Sequence, residues 1–342
     1  MIEHRRREPA PGVFRLVLPL PFKGLERVNA YLLADPSGCT LVDCGIFQPA
    51  LAPSSGWDEL EASLRACDFT PADVTRLVIT HPHVDHYGMA GRFLSESGAE
   101  LMMHERSHND LDAYRDPVGA AQRVGELLEG FGVPREELSE LTAFEDWRSY
   151  VSDVVEAMTY VRGGETFVCS QRSWLVVYTP GHSAAHICLF SETDGLLVSG
   201  DHLLPTVTPH IDFAQKGEGD ALGDYLESLE KVESLDPRLV LPGHGRPFQE
   251  GADRAAVIAR HHDRRLGSIL QVIRREPRTV GEITDEVFGP ELFDFQRRLA
   301  IGEAIAHLVY LRNRGEVEEV ARDDGSRAYL KVRRQRAGGN GS

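Results

Sequence analysis

No two cysteines in this sequence stand at Cys-x-x-Cys spacing, and the five that occur, Cys39, Cys44, Cys67, Cys169 and Cys188, are odd in number and scattered. They read as reduced thiols of a cytoplasmic protein rather than as a disulfide framework. Long apolar runs are missing too, and none approaches the roughly 20 residues needed to span a bilayer. The opening MIEHRRREPAPG carries charge but no apolar segment behind it, so no signal peptide is expected. Basic charge is in deficit, with 37 Lys+Arg against 53 Asp+Glu and a formal net charge of −16, which argues against general attraction to nucleic acid or an anionic membrane. There is no internal repeat, and little low complexity beyond the AGGNGS tail.

What is present is ordinary globular composition, 42% apolar and 26% charged, in 342 residues. That length is enough for one large domain or a core with a smaller companion. The charge is uneven: residues 251–342 hold 17 Lys+Arg and 14 Asp+Glu, so the acidity belongs to the first 250 residues.

Strands are expected at VFRLVLPL, VNAYLLAD, CTLVDCG, RLVIT, AELMMHE, WLVVYTPG, HICLFSE, GLLVSGD and RLVLPGHG, with helices at WDELEASLRAC and YGMAGRFLSESG. Hairpins come first and βαβ units follow, the order of a mixed sheet with helices outside it. Residues 106–160 change character. AAQRVGELLEGFG, REELSELTAF and YVSDVVEAMTYV read as helices of an insertion that either packs on the core or forms a lid. From about Arg254 a helix-rich, slightly basic region follows. Thr279 and Glu282 make a capping box for VGEITDEVFG, RLAIGEAIAHLVYLRNRG is a further helix, and EVEEVA and RAYLKV flank the turn DDGS. Helix, helix, helix, hairpin is the order of a winged-helix domain.

The chemical signal is THPHVDHYG at 80–88, where His81, His83, Asp85 and His86 fall directly after a strand. Imidazole with carboxylate suits zinc, iron or manganese. Successive strand residues point to opposite faces, so the four converge only from a tight loop leading into a helix. Three more candidates sit just after strands and beside glycines: His182, Asp201 and His244.

On these residues the sequence resembles the metallo-β-lactamase superfamily, in its glyoxalase II-like branch with a C-terminal winged-helix domain. H-x-H-x-D-H is matched by His81, His83, Asp85 and His86, and the later single ligands by His182, Asp201 and His244. The resemblance covers roughly residues 12–104 and 165–250. It implies an α/β fold, an αββα sandwich carrying the helical insertion and the winged-helix tail. The expected division is a catalytic domain over 1–253, a C-terminal domain over 254–336 and a disordered tail over 337–342.

The resemblance also implies two divalent ions, zinc foremost with iron or manganese as alternatives. His81, His83 and His182 would hold one ion, Asp85, His86 and His244 the other, and Asp201 would bridge them. Asp43, in LVDCG, takes the place of an outer partner that orients a ligand histidine. Two cations about 3.5–4 Å apart share a water and lower its pKa toward about 7, so a bridging hydroxide is the expected nucleophile and Asp85 the catalytic residue that orients it.

The leading expectation is a hydrolase of an ester, thioester, lactone or amide bond in a small molecule. One alternative is an endoribonuclease or phosphodiesterase guided by a tail that bears Arg297, Arg298, Arg312, Arg314, Lys331, Arg333, Arg334 and Arg336. Against it stand the overall acidity and the fact that such tails also serve as homodimer contacts. The other is a mononuclear iron dioxygenase, disfavoured because both triads are complete. His83 stands where the electron-transfer branch has glutamate, which sets that branch aside. Tyr87, His202 and His210 are weaker candidates, and His104, His108, His186, His261, His262 and His307 carry no motif.

Overall fold

Strands that are apolar at nearly every position must be covered on both faces. The computed structural model describes residues 8–48, 55–134, 138, 142, 147–211, 213, 219–292, 294–323 and 326–333, and in it two sheets lie face to face with helices outside them. The first half runs β1 (Val13–Phe22), β2 (Leu25–Leu33), β3 (Cys39–Val42), α1 (Gly56–Arg65), β4 (Val74–Val78), α2 (Val84–Tyr87), α3 (Ala90–Ser97), β5 (Glu100–His104), α4 (His108–Arg115), α5 (Pro117–Gly130) and β6 (Thr159–Val161). It continues with β7 (Thr166–Cys169), β8 (Arg172–Tyr178), β9 (Ile187–Ser191), β10 (Leu196–Gly200), α6 (Ala221–Leu235), β11 (Leu239–Pro242) and β12 (Phe248–Gln249). The chain then forms α7 (Gly251–Val272), α8 (Val280–Phe288), α9 (Asp294–Asn313), β13 (Val317–Ala321) and β14 (Arg327–Lys331). Strand order is β1-β2-β3-β4-β5-β6 in one six-stranded sheet and β12-β11-β10-β9-β8-β7 in the other, with β13-β14 a separate pair.

The period-two rule sorts the side chains. Tyr31, Leu33, Val42, Val78 and Met102 from the first sheet meet Trp174, Val176, Ile187, Leu189, Val198 and Leu241 from the second, forming the layer between the sheets. Their alternating neighbours Leu32, Leu41, Leu77, Leu101 and Met103 face outward onto Trp57, Leu60 and Leu64 of α1 and Phe93 of α3. On the other side Cys188, Phe190, Leu197 and Val240 pack with Leu222, Tyr225, Leu229 and Val232 of α6. Trp174 is fully buried in the middle layer, and its indole N–H is satisfied by the Cys169 carbonyl at 3.2 Å. The five cysteines are free and buried.

The insertion differs from expectation. AAQRVGELLEGFG is helical within α5, and His108–Arg115 adds a helix that sequence periodicity did not single out. REELSELTAF lies almost wholly outside the described residues. YVSDVVEAMTYV is not a helix: it is irregular up to Met158 and then enters β6. Tertiary partners claim its backbone. Ser152 N donates to Gly88 O (2.8 Å), Val155 N to the Tyr87 hydroxyl (2.7 Å) and Met158 N to Leu101 O (2.9 Å). Its run of β-branched valines offers little resistance to that competition.

After the second sheet come three helices and a hairpin in the order read from the sequence. The Thr279–Glu282 capping box is formed reciprocally, Glu282 N donating to Thr279 Oγ1 (3.2 Å) and Thr279 N to Glu282 Oε2 (2.9 Å). The boundary expected at 253/254 falls inside the first turn of α7, and residues 337–342 lie outside the described part. Ile258, Ile269, Ile305 and Val309 belong to the same apolar cluster as α6, so the C-terminal helices share a core with the second sheet. Among the described residues no helix is long and apolar enough to cross a membrane.

Candidate metal centre

The loop after β4 is tied to both sheets before it turns. Ile79 N donates to Met102 O (3.0 Å), and Ile187 N, from the second sheet, to Thr80 O (2.8 Å). His81 and His83 occupy this loop. One helical turn, α2, then carries Asp85 and His86, closed by Tyr87 N to His83 O (2.8 Å) and Gly88 N to Val84 O (2.9 Å). This is the loop-to-helix geometry that a strand could not supply. His182 lies between β8 and β9, Asp201 follows β10 and His244 follows β11. All seven side chains meet at one edge of the sandwich.

Three donor groups overlap there, each with its ligand atoms within 4.8 Å of one another: His81, His83 and His182; Asp85, His86 and His244; and His81, His86 and Asp201. His81 Nε2 and His83 Nδ1 are 3.1 Å apart. That is close to the edge of a tetrahedron drawn with about 2.0–2.1 Å bonds, roughly 3.4 Å. Asp201 lies between the groups. Its Oδ1 is 3.4 Å from His86 Nε2, and its Oδ2 is 3.3 Å from His244 Nε2 and 3.8 Å from His182 Nε2. Asp85 Oδ2 is 3.1 Å from His244 Nε2.

Three of the five imidazoles are oriented from behind through Nδ1 by a carboxylate or carbonyl oxygen. His86 Nδ1 meets Asp43 Oδ2 at 2.7 Å, His182 Nδ1 the His210 carbonyl at 2.7 Å, and His244 Nδ1 the Arg27 carbonyl at 2.8 Å. These contacts fix the tautomer that leaves Nε2 facing inward. Asp43 itself sits at φ 59° and also accepts from Thr80 N (2.8 Å) and from Thr80 Oγ1.

Two observations show that these residues fit divalent cations. His86 Nε2, His182 Nε2 and Asp201 Oδ1 are buried without a hydrogen-bond partner among the described residues, a costly state unless something else binds them. Gly243 also lies directly behind the cluster, where an added Cβ would stand 2.3 Å from Asp201 Oδ1 and 2.7 Å from His86 Cε1. The mixed imidazole and carboxylate set suits a first-row divalent metal.

The electrostatics agree. Burial disfavours charge on His86, but Asp85, Asp201 and Asp43 outweigh it and hold its pKa well above the ordinary value. Burial likewise works against His244, which Asp201 and Asp85 raise to about 10. Burial opposes the charge on Asp85 as well, yet His86 and His244 bring it down to about 2. On the other side of the cluster, burial and the neighbouring imidazoles push His81 well below its usual value and His83 to about 3. Without a bound cation, the carboxylate-rich half therefore recruits protons to the very nitrogens a metal would use.

The weaker candidates separate. Tyr87 is a packing residue, buried, its hydroxyl donating to Val155 O at 2.9 Å. His210 does not turn its ring into the centre: its carbonyl holds His182, while its Nδ1 lies 3.7 Å from Glu303. His202 is buried against Tyr225, ring centroids 5.2 Å apart. One residue was missed. His186 Nε2 accepts the Asp201 backbone N–H at 3.2 Å, and its Nδ1 meets Thr179 Oγ1 at 2.8 Å, so it positions the shared aspartate. Its spacing four residues after His182 was the available signal.

Comparison with known proteins gives a consistent pattern. The family model described as metallo-beta-lactamase superfamily matches residues 24–244, and one described as metallo-beta-lactamase-like, C-terminal domain, matches 266–332. A probable metallo-hydrolase of Bacillus subtilis (strain 168) is 26% identical over 336 residues, covering 94% of this chain and 98% of that protein. An atrochrysone carboxyl ACP thioesterase of Aspergillus fumigatus is 29% identical over 274 residues, 79% of this chain and 68% of that one. Among solved structures, a metallo-beta-lactamase family protein from Thermus thermophilus is similar with a TM-score of 0.81 and 29% identity, covering 95% of this chain and 100% of that one. A beta-lactamase domain protein from Burkholderia ambifaria is similar with a TM-score of 0.77 and 32% identity, covering 95% and 93%.

Proposed function

Since this chain belongs to the metallo-β-lactamase superfamily and has a relative named as a probable metallo-hydrolase, we propose that it is a metal-dependent hydrolase of an ester-type acyl bond in a small molecule, thioesters foremost. The observation that carries the reading is Asp201, whose two oxygens lie 3.4 Å from His86 and 3.3 Å from His244 and which also faces His182. A carboxylate shared in this way supports two ions, one held by His81, His83 and His182 and the other by Asp85, His86 and His244, with zinc the first candidate. When bound, such ions supply Lewis acidity, acidifying water and polarising the substrate oxygen.

The chain's own residues do the rest. Asp85, kept ionised by His86 and His244, orients the attacking water. Asp43, Thr80 and His186 hold His86 and Asp201 in place. The acyl choice draws on the relative named as an acyl-carrier-protein thioesterase. The test is hydrolysis of a panel of acyl thioesters, esters, lactones and amides by protein stripped with chelator and reloaded. Cleavage that returns with metal supports the reading, and turnover indifferent to stripping contradicts it.

A second reading, action on RNA, rests on Arg274, Arg275, Lys331 and Arg333, which line a hollow of about 480 Å³ on the C-terminal part. Salt-dependent RNA binding by the full chain supports it, and the absence of binding at low salt removes it.

A further inference from the structure

His262 and His307 carry no motif, yet the fold brings them together away from the main centre. Glu303 and His307 stand four residues apart on α9 and so share a face of that helix. His262 comes from α7. Both histidines are fully buried, and the Glu303 side chain keeps 16% exposure. His262 Nδ1 is 3.2 Å from His307 Nε2, and one ligand atom from each of the three residues lies within 4.8 Å of the others. Tyr225 stands edge-to-face against the His262 ring, 5.6 Å between centroids.

Hydrogen bonding alone leaves this cluster incomplete. His307 Nδ1 donates to the Glu303 carbonyl at 2.7 Å, so its Nε2 presents a lone pair to His262. If the His262 proton is on Nδ1, its Nε2 is a bare acceptor, and that atom is buried with no hydrogen-bond partner among the described residues. If the proton is on Nε2, two lone pairs face each other at 3.2 Å. A cation resolves the second case, and His81 and His83 show the same facing nitrogens at 3.1 Å in the main centre. Burial lowers both imidazoles, His262 to about 3, so they are neutral donors. Burial opposes the Glu303 charge, but the His210 side chain and the Arg265 guanidinium hold the carboxyl below its ordinary value.

We propose that His262, Glu303 and His307 form a further binding site for a divalent transition metal, clamping α9 to α7. Two neutral imidazoles and one carboxylate are a donor set that Zn²⁺ and Co²⁺ accept, with the partly exposed Glu303 side open to water. The nearby Arg265 charge works against a cation. Three carboxylates, Asp43, Asp85 and Asp201, converge on the main centre, so the affinity here is expected to be the lower of the two. The site also touches the segment that supports His182. Glu303 Oε2 faces His210, whose carbonyl orients His182, so an ion on Glu303 stiffens the support of that ligand.

The test is anomalous diffraction from crystals of the full-length protein saturated with Co²⁺, with metal counting on wild type and a His262→Asn/His307→Asn double variant. The expected result is an anomalous peak between His262 and His307, and one equivalent of metal fewer in the double variant with the main centre still filled. A filled main centre with no peak between His262 and His307 overturns the proposal, as does equal metal content in the two folded proteins. Should the double variant not fold, the wild-type map decides alone. A vacant main centre beside a filled second site would count against the proposed hydrolase and not against this inference.

Discussion

Asp43 Oδ2 lies 2.7 Å from His86 Nδ1, so a carboxylate outside the donor cluster decides which nitrogen of that imidazole faces inward. Asp43 also accepts from Thr80 N and Thr80 Oγ1, three donors in all. Asparagine has one acceptor oxygen, and it tolerates the left-handed backbone that this position adopts at φ 59°. Asp43→Asn therefore leaves the backbone unstrained and the hydrogen bonding short of an acceptor. Metal affinity should fall about 10–100-fold, as for comparable outer partners. Competition against a chelator of known affinity measures it, and an unchanged affinity contradicts the role given to Asp43.

Gly243→Ala places a methyl group 2.3 Å from Asp201 Oδ1. Neither that oxygen nor His86 can retreat without leaving the donor cluster, so bound metal should drop sharply while the fold survives. Gly267 is the control. It is exposed in α7 with nothing within 4 Å of an added Cβ, and Gly267→Ala should stabilise by about 0.5–1 kcal/mol with metal content unchanged. Elemental analysis and thermal melts of both variants separate the effects. Equal metal content in the two would refute the close-approach argument.

Metal uptake should release protons. His86 is held well above its ordinary pKa and His244 at about 10, so both carry protons at neutral pH until a cation displaces them. Proton and metal compete for the same nitrogens, so apparent affinity falls as pH is lowered. Calorimetric titrations at pH 7 in two buffers of different ionisation enthalpy should show net proton release. A heat independent of buffer contradicts this charge assignment.

Thr279→Ala removes one half of the capping box that opens α8. The expected cost is about 0.5–2 kcal/mol of stability, seen as a lower melting temperature with the main metal content intact. Loss of metal in this variant would mean that α8 supports the centre through a route the hydrogen bonds do not reveal.

The fold and the main centre were legible because period two and strand-end glycines are local signals. Leu77 and Val78 sort to opposite faces by alternation alone, and His81 to His86 are dense enough to imply a loop-to-helix turn. Most of the failures are non-local. Residues 150–158 have a helical pattern, but Gly88, Leu101 and the Tyr87 hydroxyl, all distant in sequence, take their backbone. The helix over Ala221–Leu235 was overlooked although Leu222, Tyr225, Leu229 and Val232 keep helical spacing. The His262–Glu303–His307 cluster is not readable without the packing of separate elements, since it has no motif of its own.

The most direct test of the central claim is a titration of chelator-stripped protein with Zn²⁺, following bound metal and thioester hydrolysis on the same samples. Hydrolysis should be absent from the stripped protein, rise as the main centre fills, and remain absent in Asp201→Asn at equal added zinc. Hydrolysis that survives stripping, or a filled centre that cleaves no member of the ester, thioester, lactone and amide panel, would contradict the account.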